Sequence, residues 1–322
     1  MTHDPLIDIQ DLQVHFPIKG GLLRRTAGVV KAVDHVSFQI DKNETVGLVG
    51  ESGCGKSTVG RAIVRLNEAT GGKILYQDQD ILSLRGEALR KLRHNLQIVF
   101  QDPYSSLNPR YTVKRLIAEV LTVQKGYSTS EAYKRVGELL ERVGLNPIYA
   151  ERYPHEFSGG QRQRVAIAKA LALEPEFIVC DEAVSALDVS IQSQIINLLT
   201  DLKEKYGIAY LFISHALNVI EHISDRVVVM YLGSVMELSE TEELFLHPLH
   251  PYTRALISAI PMLSGREQRE RIVLKGDVPS AANVPPGCRF HTRCPYACDR
   301  CRTEQPAMRQ AAPGHYVACH QV

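Results

Sequence analysis

In "LIDIQDLQVHF" (residues 6–16) apolar and polar side chains alternate, the period-2 pattern of a strand with one wet face, and it reads as an edge strand. "HVSFQI" (35–40) resumes the alternation, and the basic, glycine-bearing "PIKGGLLRRTAGVVKAV" (17–33) predicts a hairpin or loop between them. A second pattern then takes over. "ETVGLVG" (44–50), "LQIVF" (96–100), "PEFIVCDEA" (175–183) and "IAYLFISHA" (208–216) hold short unbroken apolar runs, as in strands buried on both faces. "KSTVGRAIVRL" (56–66) and "SIQSQIINLLTDLKEKYG" (190–207) carry helical spacing instead. "DRVVVMYLGSVMEL" (225–238) reads as a hairpin with its turn at Leu232-Gly233-Ser234.

Strand runs that alternate with helical patterns predict an α/β layered fold. From about residue 103 to 152 the pattern is helical only. "YTVKRLIAEVLTVQKG" (111–126) and "STSEAYKRVGELLERVGL" (128–145) are amphipathic, the second opened by Ser128 or Ser130 as N-cap. The organisation expected is therefore one α/β domain over residues 1–246, with a helical subdomain inserted at about 103–172. Beyond Leu246 proline density rises, in "HPLHPYTRALISAIP" and "VPSAANVPPG", which places the start of a tail module at 247–322. There are no internal repeats and no heptad run.

Composition narrows the partners. A net charge of +1 over 322 residues gives no general affinity for nucleic acid or for acidic membranes. The apolar runs are far short of the roughly 20 residues that span a bilayer. "MTHDPLIDIQ" has an early Asp and no apolar core of a secretory signal, which predicts a chain kept in the cytosol.

"GESGCGKST" (50–58) fits G-x-x-x-x-G-K-[ST], after a strand and at the start of a helix, which is the context that motif needs. Gly50, Gly53 and Gly55 let the backbone wrap phosphate with its N–H groups inward. Lys56 would reach the β- and γ-phosphates and Ser57 would ligate Mg²⁺; Ser52, Cys54 and Thr58 complete the loop. "FIVCDE" delivers Asp181 and Glu182 to a strand's C-terminal end, where open α/β sheets bind ligands. Asp181 would hold Mg²⁺ through water, and Glu182 is placed to act as general base on an attacking water. Gln101 and His215 end two further strands, where they would sense Mg²⁺ and the γ-phosphate, respectively. "FSGGQRQR" (157–164) raises a question: it is a second helix start suited to an anion, in a chain that already has one.

The stretches "GESGCGKST", "QDPYSSLNP", "FSGGQRQR", "CDEAVSALD" and "ISHALNV" stand in the order of ATP-binding-cassette (ABC) ATPases, which the chain resembles over nearly its whole length. The resemblance is to ATP-binding subunits of bacterial dipeptide, oligopeptide and nickel importers. Their C-terminal extension is matched by "HPLHPYTRALISAIP" and "PPGCRFHTRCP". It implies a P-loop NTPase core with a RecA-like mixed sheet, an antiparallel β-subdomain and an inserted helical subdomain. It also answers the question of the second helix start. In this family two cassettes face each other head to tail, so Ser158, Gly159, Gly160 and Gln161 would cap the γ-phosphate of ATP held by the partner. Asp188 matches the loop that couples the two sites. Phe16 matches the position that stacks on adenine, against the alternative of a core phenylalanine. The groove at "YSSLNPRYTV" would receive a helix of a membrane subunit. Two departures, Ala183 where the family usually has Pro and Ala216 where it usually has Asp, leave the chemical groups in place and predict tuned hydrolysis.

The tail carries Cys288, Cys294, Cys298, Cys301 and Cys319. In a reducing compartment such a cluster suits a metal better than disulfides. Cys288, Cys294, Cys301 and Cys319 match a pattern that in some relatives resembles a [4Fe-4S] site. Zn²⁺ and plain buried thiols remain alternatives, with Cys298 as the spare and His291, His315 and His320 as substitute ligands. The function implied is an ATPase at the cytoplasmic face of the bacterial inner membrane that energises import of dipeptides or oligopeptides, or of nickel or glutathione. The implied partners are a homologous, non-identical cassette, two transmembrane permeases and an extracytoplasmic solute-binding protein. A soluble cassette acting on DNA or ribosomes fits poorly with one cassette and a charge of +1. A regulatory cassette that only binds ATP is opposed by the presence of Glu182 and His215.

Overall fold

A computed structural model of the chain describes residues 5–20, 25–102, 106–260 and 270–322. They divide into two compact units. Unit 1 takes in the chain up to Asp41, Thr45–Leu82 and Phe212–Val322, and unit 2 takes in Lys42–Glu44 and Ser83–Leu211.

Unit 1 begins with β1 (Pro5–Gly20) and β2 (Arg25–Asp41), paired antiparallel from Pro5↔Asp41 to Gly20↔Arg25. The turn residues of the predicted hairpin lie outside the described residues. β3 (Thr45–Val49) is wholly buried. β4 (Gly71–Tyr76) pairs with the other side of β1, and β5 (Gln79–Asp80) follows, so the sheet order is β2-β1-β4-β5. The edge-strand expectation for β1 is therefore corrected: it is paired on both sides. Alternation reports which face meets the core, not how many neighbours share the backbone bonds. The phase of that alternation slips at a bulge between Ile9 and Leu12, where Asp11 takes φ 52. Ile7 and Ile9 before the bulge and Leu12 and Val14 after it all stay in the core.

Unit 2 carries β6 (Leu96–Val99) and β7 (Phe177–Asp181), parallel and in register at Val99↔Cys180, with β8 (Ala209–Ile213) beside β7. Its helices follow the predicted patterns at Val113–Lys125, Thr129–Arg142, Gly159–Leu171 and Val189–Tyr206. Ser128 is the N-cap of the second, in a reciprocal box with Glu131. All four helices lie within unit 2, and residues 103–105, where the helical insertion is expected to open, lie outside the described residues. Among the described residues no helix is long and apolar enough to cross a membrane.

The chain returns to unit 1 at the end of β8. β9 (Arg226–Tyr231) runs parallel to β3 and turns back into β10 (Ser234–Glu240). Leu232 (φ 46) and Gly233 (φ 80) make that turn where the sequence places it, with both central residues left-handed as a tight hairpin requires. β11 (Arg309–Ala312) and β12 (His315–Val317) pair with each other, and β12 pairs with β10. The described residues of the 247–322 segment therefore belong to unit 1. Glu237 on β10, fully buried, accepts from the Leu249 and His250 amides at 2.7 and 2.9 Å and lies 2.7 Å from His315 Nε2. The buried charge is satisfied three ways, and each bond ties tail to strand.

Candidate functional site

β3 runs straight into the glycine loop, and the helix Lys56–Ile63 starts at its end with Gly55 as N-cap. Gly55 has φ 104, and a Cβ there would stand 2.1 Å from the Ala32 carbonyl oxygen. Only glycine lets the chain turn there. Lys56 is 4% exposed, and its ammonium donates to the carbonyls of Gly50 at 2.7 Å and Glu51 at 3.0 Å. A buried cation folded back onto loop carbonyls is poised to meet an anion in the same loop. Cys54 turns its thiol inward, 3.7 Å from Lys56 Nζ, and burial raises its pKa despite that ammonium. The Ser214 amide donates to the Leu48 carbonyl at 3.3 Å, which sets His215 next to the end of β3. Phe16 lies on β1 with 42% of its surface exposed, so the core alternative for it is removed.

Unit 2 brings together a second group. The ends of β6 and β7 lie side by side, and Gln101 Nε2 donates to Ser185 Oγ at 3.1 Å, which in turn donates to the Glu182 carbonyl at 3.0 Å. Glu182 itself takes φ 52, uncommon for a residue with a side chain, where β7 ends. Asp181 closes β7 as a buried carboxylate. Ser185 is a residue that sequence reasoning missed. Its only signal was its place in "CDEAVSALD", and nothing there says that it reaches Gln101.

Ser158 is the N-cap of the Gly159–Leu171 helix, with Ser158 Oγ accepting from the Gln161 amide and Gln161 Oε1 accepting from the Ser158 amide. The residues after β7 pack on this start. A Cβ on Gly160 would meet Ile191 Cγ2 at 2.4 Å, and one on Gly159 would meet Leu187 Cδ2 at 3.2 Å. Asp188 is the N-cap position of the next helix, between those two contacts. Hence 158–161 and 187–191 form one structural piece.

The tail cysteines are less ordered toward a metal than their spacing suggests. Cys298 and Cys301 place their sulfurs 3.5 Å apart, and the Cys288 amide donates to the Cys301 carbonyl at 2.8 Å. Burial pushes the Cys288 thiol up to about 11 and raises Cys294 as well, whereas hydrogen bonds from Cys301 lower Cys298. Among the described residues no group of three or more His, Cys, Asp or Glu is arranged to hold a metal ion. The substitute ligands are engaged elsewhere: His291 Nδ1 with the Cys288 carbonyl, His315 with Glu237, His320 Nε2 with the Glu304 carbonyl. As they stand, these donors do not fit an iron–sulfur cluster or zinc.

Comparison with known proteins supplies the family. Residues 33–185 match the ABC transporter family model, and residues 236–301 match the oligopeptide/dipeptide transporter C-terminal region. The oligopeptide transport ATP-binding protein AppF of Bacillus subtilis is 56% identical, covering 99% of this chain and 98% of its own. Among solved structures, a dimeric post-hydrolysis state of the cassette MJ0796 bound to ADP and Pi superposes with a TM-score of 0.64 at 28% identity. That match covers 73% of this chain and 98% of the other. CbiO1 of Clostridium perfringens, part of the cbiONQ transporter complex, gives 0.65 at 27%, over 76% and 92%. With 56% identity to AppF over nearly the whole of both chains, the chain belongs to the ABC transporter family, as one of its ATP-hydrolysing ATP-binding cassettes.

Proposed function

We propose that this chain is the energising subunit of a bacterial membrane importer for oligopeptides or dipeptides. The observation that carries the nucleotide reading is the buried Lys56 ammonium, held by loop carbonyls at the end of β3. The cargo reading is supported by the match of residues 236–301 and by the relative named for oligopeptide transport. ATP is the substrate. The loop from Gly50 to Thr58 binds its phosphates, Lys56 meets the β- and γ-phosphates, and Phe16 stacks on adenine. Ser57, Gln101 and Asp181 would hold Mg²⁺, a hard oxygen-donor set suited to that ion, which neutralises phosphate charge when bound. Glu182 takes the proton of the attacking water, Gln101 orients that water, and His215 steadies the γ-phosphate. Ser158, Gly159, Gly160 and Gln161 close over the ATP of a second cassette, with Asp188 coupling the two. Two permeases take up the resulting motion at the cytoplasmic face of the inner membrane, and an extracytoplasmic binding protein delivers peptide.

The reading is tested by mild-detergent capture of the tagged chain from its native membranes, with partners identified by mass spectrometry. Two permeases and a second cassette are expected, with a peptide-binding protein in the same system. Recovery of ribosomal or nucleic-acid-bound partners in their place would overturn it.

A further inference from the structure

Within unit 1 the phosphate loop has an anchor from the far end of the chain. Arg293 donates from Nη1 to Glu51 Oε2 at 2.7 Å and from Nη2 to Glu51 Oε1 at 3.1 Å, a bidentate pair. Glu51 is the second residue of the loop, and the same residue is held three more times. Its amide donates to Tyr252 Oη at 2.8 Å, and its carbonyl accepts from Lys56 Nζ at 3.0 Å and from the Cys54 amide at 3.2 Å. The Arg293 side chain is only 8% exposed, against 26% for Glu51, so the pair is largely out of water.

The anchor is itself rigid. Tyr231, Tyr252 and Phe290 interlock with ring centroids 4.8 to 5.3 Å apart, and the Arg293 guanidinium lies 5.9 Å from the Tyr231 ring. Four residues earlier, Arg289 donates to the Leu232 carbonyl and pairs with Asp34, both buried contacts within unit 1. Nothing in G-x-x-x-x-G-K-[ST] asks for such a partner, since position two of the motif is unspecified.

We propose that Arg293 is a positioning residue for ATP binding, which holds the phosphate loop through Glu51 and makes nucleotide affinity depend on the C-terminal region. The proposal rests on the reading of this loop as the ATP site. Two effects of the same sign follow from losing the guanidinium. The loop has more freedom to lose when it closes on phosphate, and Glu51 is left as an uncompensated negative charge beside a polyanion.

The test uses the full-length chain and titration calorimetry with MgATP on wild type, Arg293→Ala, Arg293→Lys, Arg293→Ala/Glu51→Gln and Lys56→Ala. Arg293→Ala is expected to weaken binding about tenfold. Arg293→Lys restores much of the affinity, and the double variant falls between, because its charge penalty is gone and its loop remains loose. In the assembled importer, Arg293→Ala raises KM for ATP while kcat stays within about twofold. Should Arg293→Ala yield too little folded protein, Arg293→Lys carries the test, since one donor replaces a fork and a loss of about threefold is expected. Binding within twofold of wild type by both Arg293 variants overturns the proposal. Lys56→Ala keeps the two readings apart. Unchanged ATP binding by Lys56→Ala would overturn the ATP-site reading, whereas loss there with intact Arg293→Ala overturns the anchor alone.

Discussion

Lys56 and Glu182, to which the proposed function gives the phosphate and the attacking water, are held in different ways. Lys56 is buried with its charge spread over two loop carbonyls, so a phosphate replaces existing partners without exposing the ammonium to water. Glu182 sits at the end of β7 with φ 52, a conformation that costs a residue with a Cβ and persists where the surroundings enforce it. Ser185, which donates to its carbonyl, is part of that enforcement. Both residues were legible in the sequence as motif members, but the left-handed backbone of Glu182 was not, because its own residue type does not favour it. Glu182→Gln keeps size and shape and removes the carboxylate proposed as general base. It is expected to leave MgATP affinity unchanged and to lower phosphate release by at least about 100-fold, measured on the same preparation.

At the level of elements, local rules were the reliable ones. Ser128 with Glu131, and Ser158 with Gln161, form the reciprocal caps that their spacing announces. β1 shows the limit of such rules: its alternation is real, yet its second neighbour β4 arrives from some sixty residues further on. The glycines of 158–161 show another. "SGG" read as an anion-binding turn, whereas Gly160 is also a packing residue, since a Cβ there would stand 2.4 Å from Ile191 Cγ2. Gly160→Ala is therefore expected to destabilise the protein by about 1 to 3 kcal/mol through overpacking, read as a lower urea midpoint at unchanged m-value. Adding Ile191→Ala removes the clashing methyl and recovers part of the loss. A midpoint unchanged in Gly160→Ala would show that the helix start shifts freely.

Across the whole chain, buried histidines tie the tail to β10 and give its stability a pH dependence with two windows. Burial holds His250 down to about 4, with Arg254 adding to the effect and Glu237 opposing it. A depressed histidine is neutral when folded, so its stabilisation is full above the unfolded pKa near 6.5 and is lost as pH falls toward 4, by about 3 kcal/mol. For His315 burial works against the charge, but hydrogen bonds and attraction from Glu237 and Glu243 outweigh it and raise the pKa. Its contribution is full below about 6.5 and is lost as pH rises through the raised value. His250→Asn retains an acceptor for the Tyr252 amide, which His250 Nδ1 now accepts at 3.1 Å, and removes the titration. It is expected to flatten the fall in Tm between pH 6.5 and 4 while leaving the alkaline limb in place. An acid limb as steep as that of wild type would assign the dependence to other groups.

The alternation of strands and helices, the caps, the hairpin turn at Leu232-Gly233 and the order of motifs that marks the family can all be read along the chain. Each of these depends on periodicity, backbone preference or spacing within a few neighbouring residues, and such information is written along the chain. The remaining features come from packing between distant segments. It put β4 beside β1, β12 beside β10, Ser185 under Gln101 and Arg293 on Glu51, 242 positions away. Among the described residues it left no three His, Cys, Asp or Glu arranged to hold a metal ion, which cysteine spacing alone does not foretell. Contacts between residues so far apart depend on which faces meet once the layers pack, and no local pattern encodes that choice.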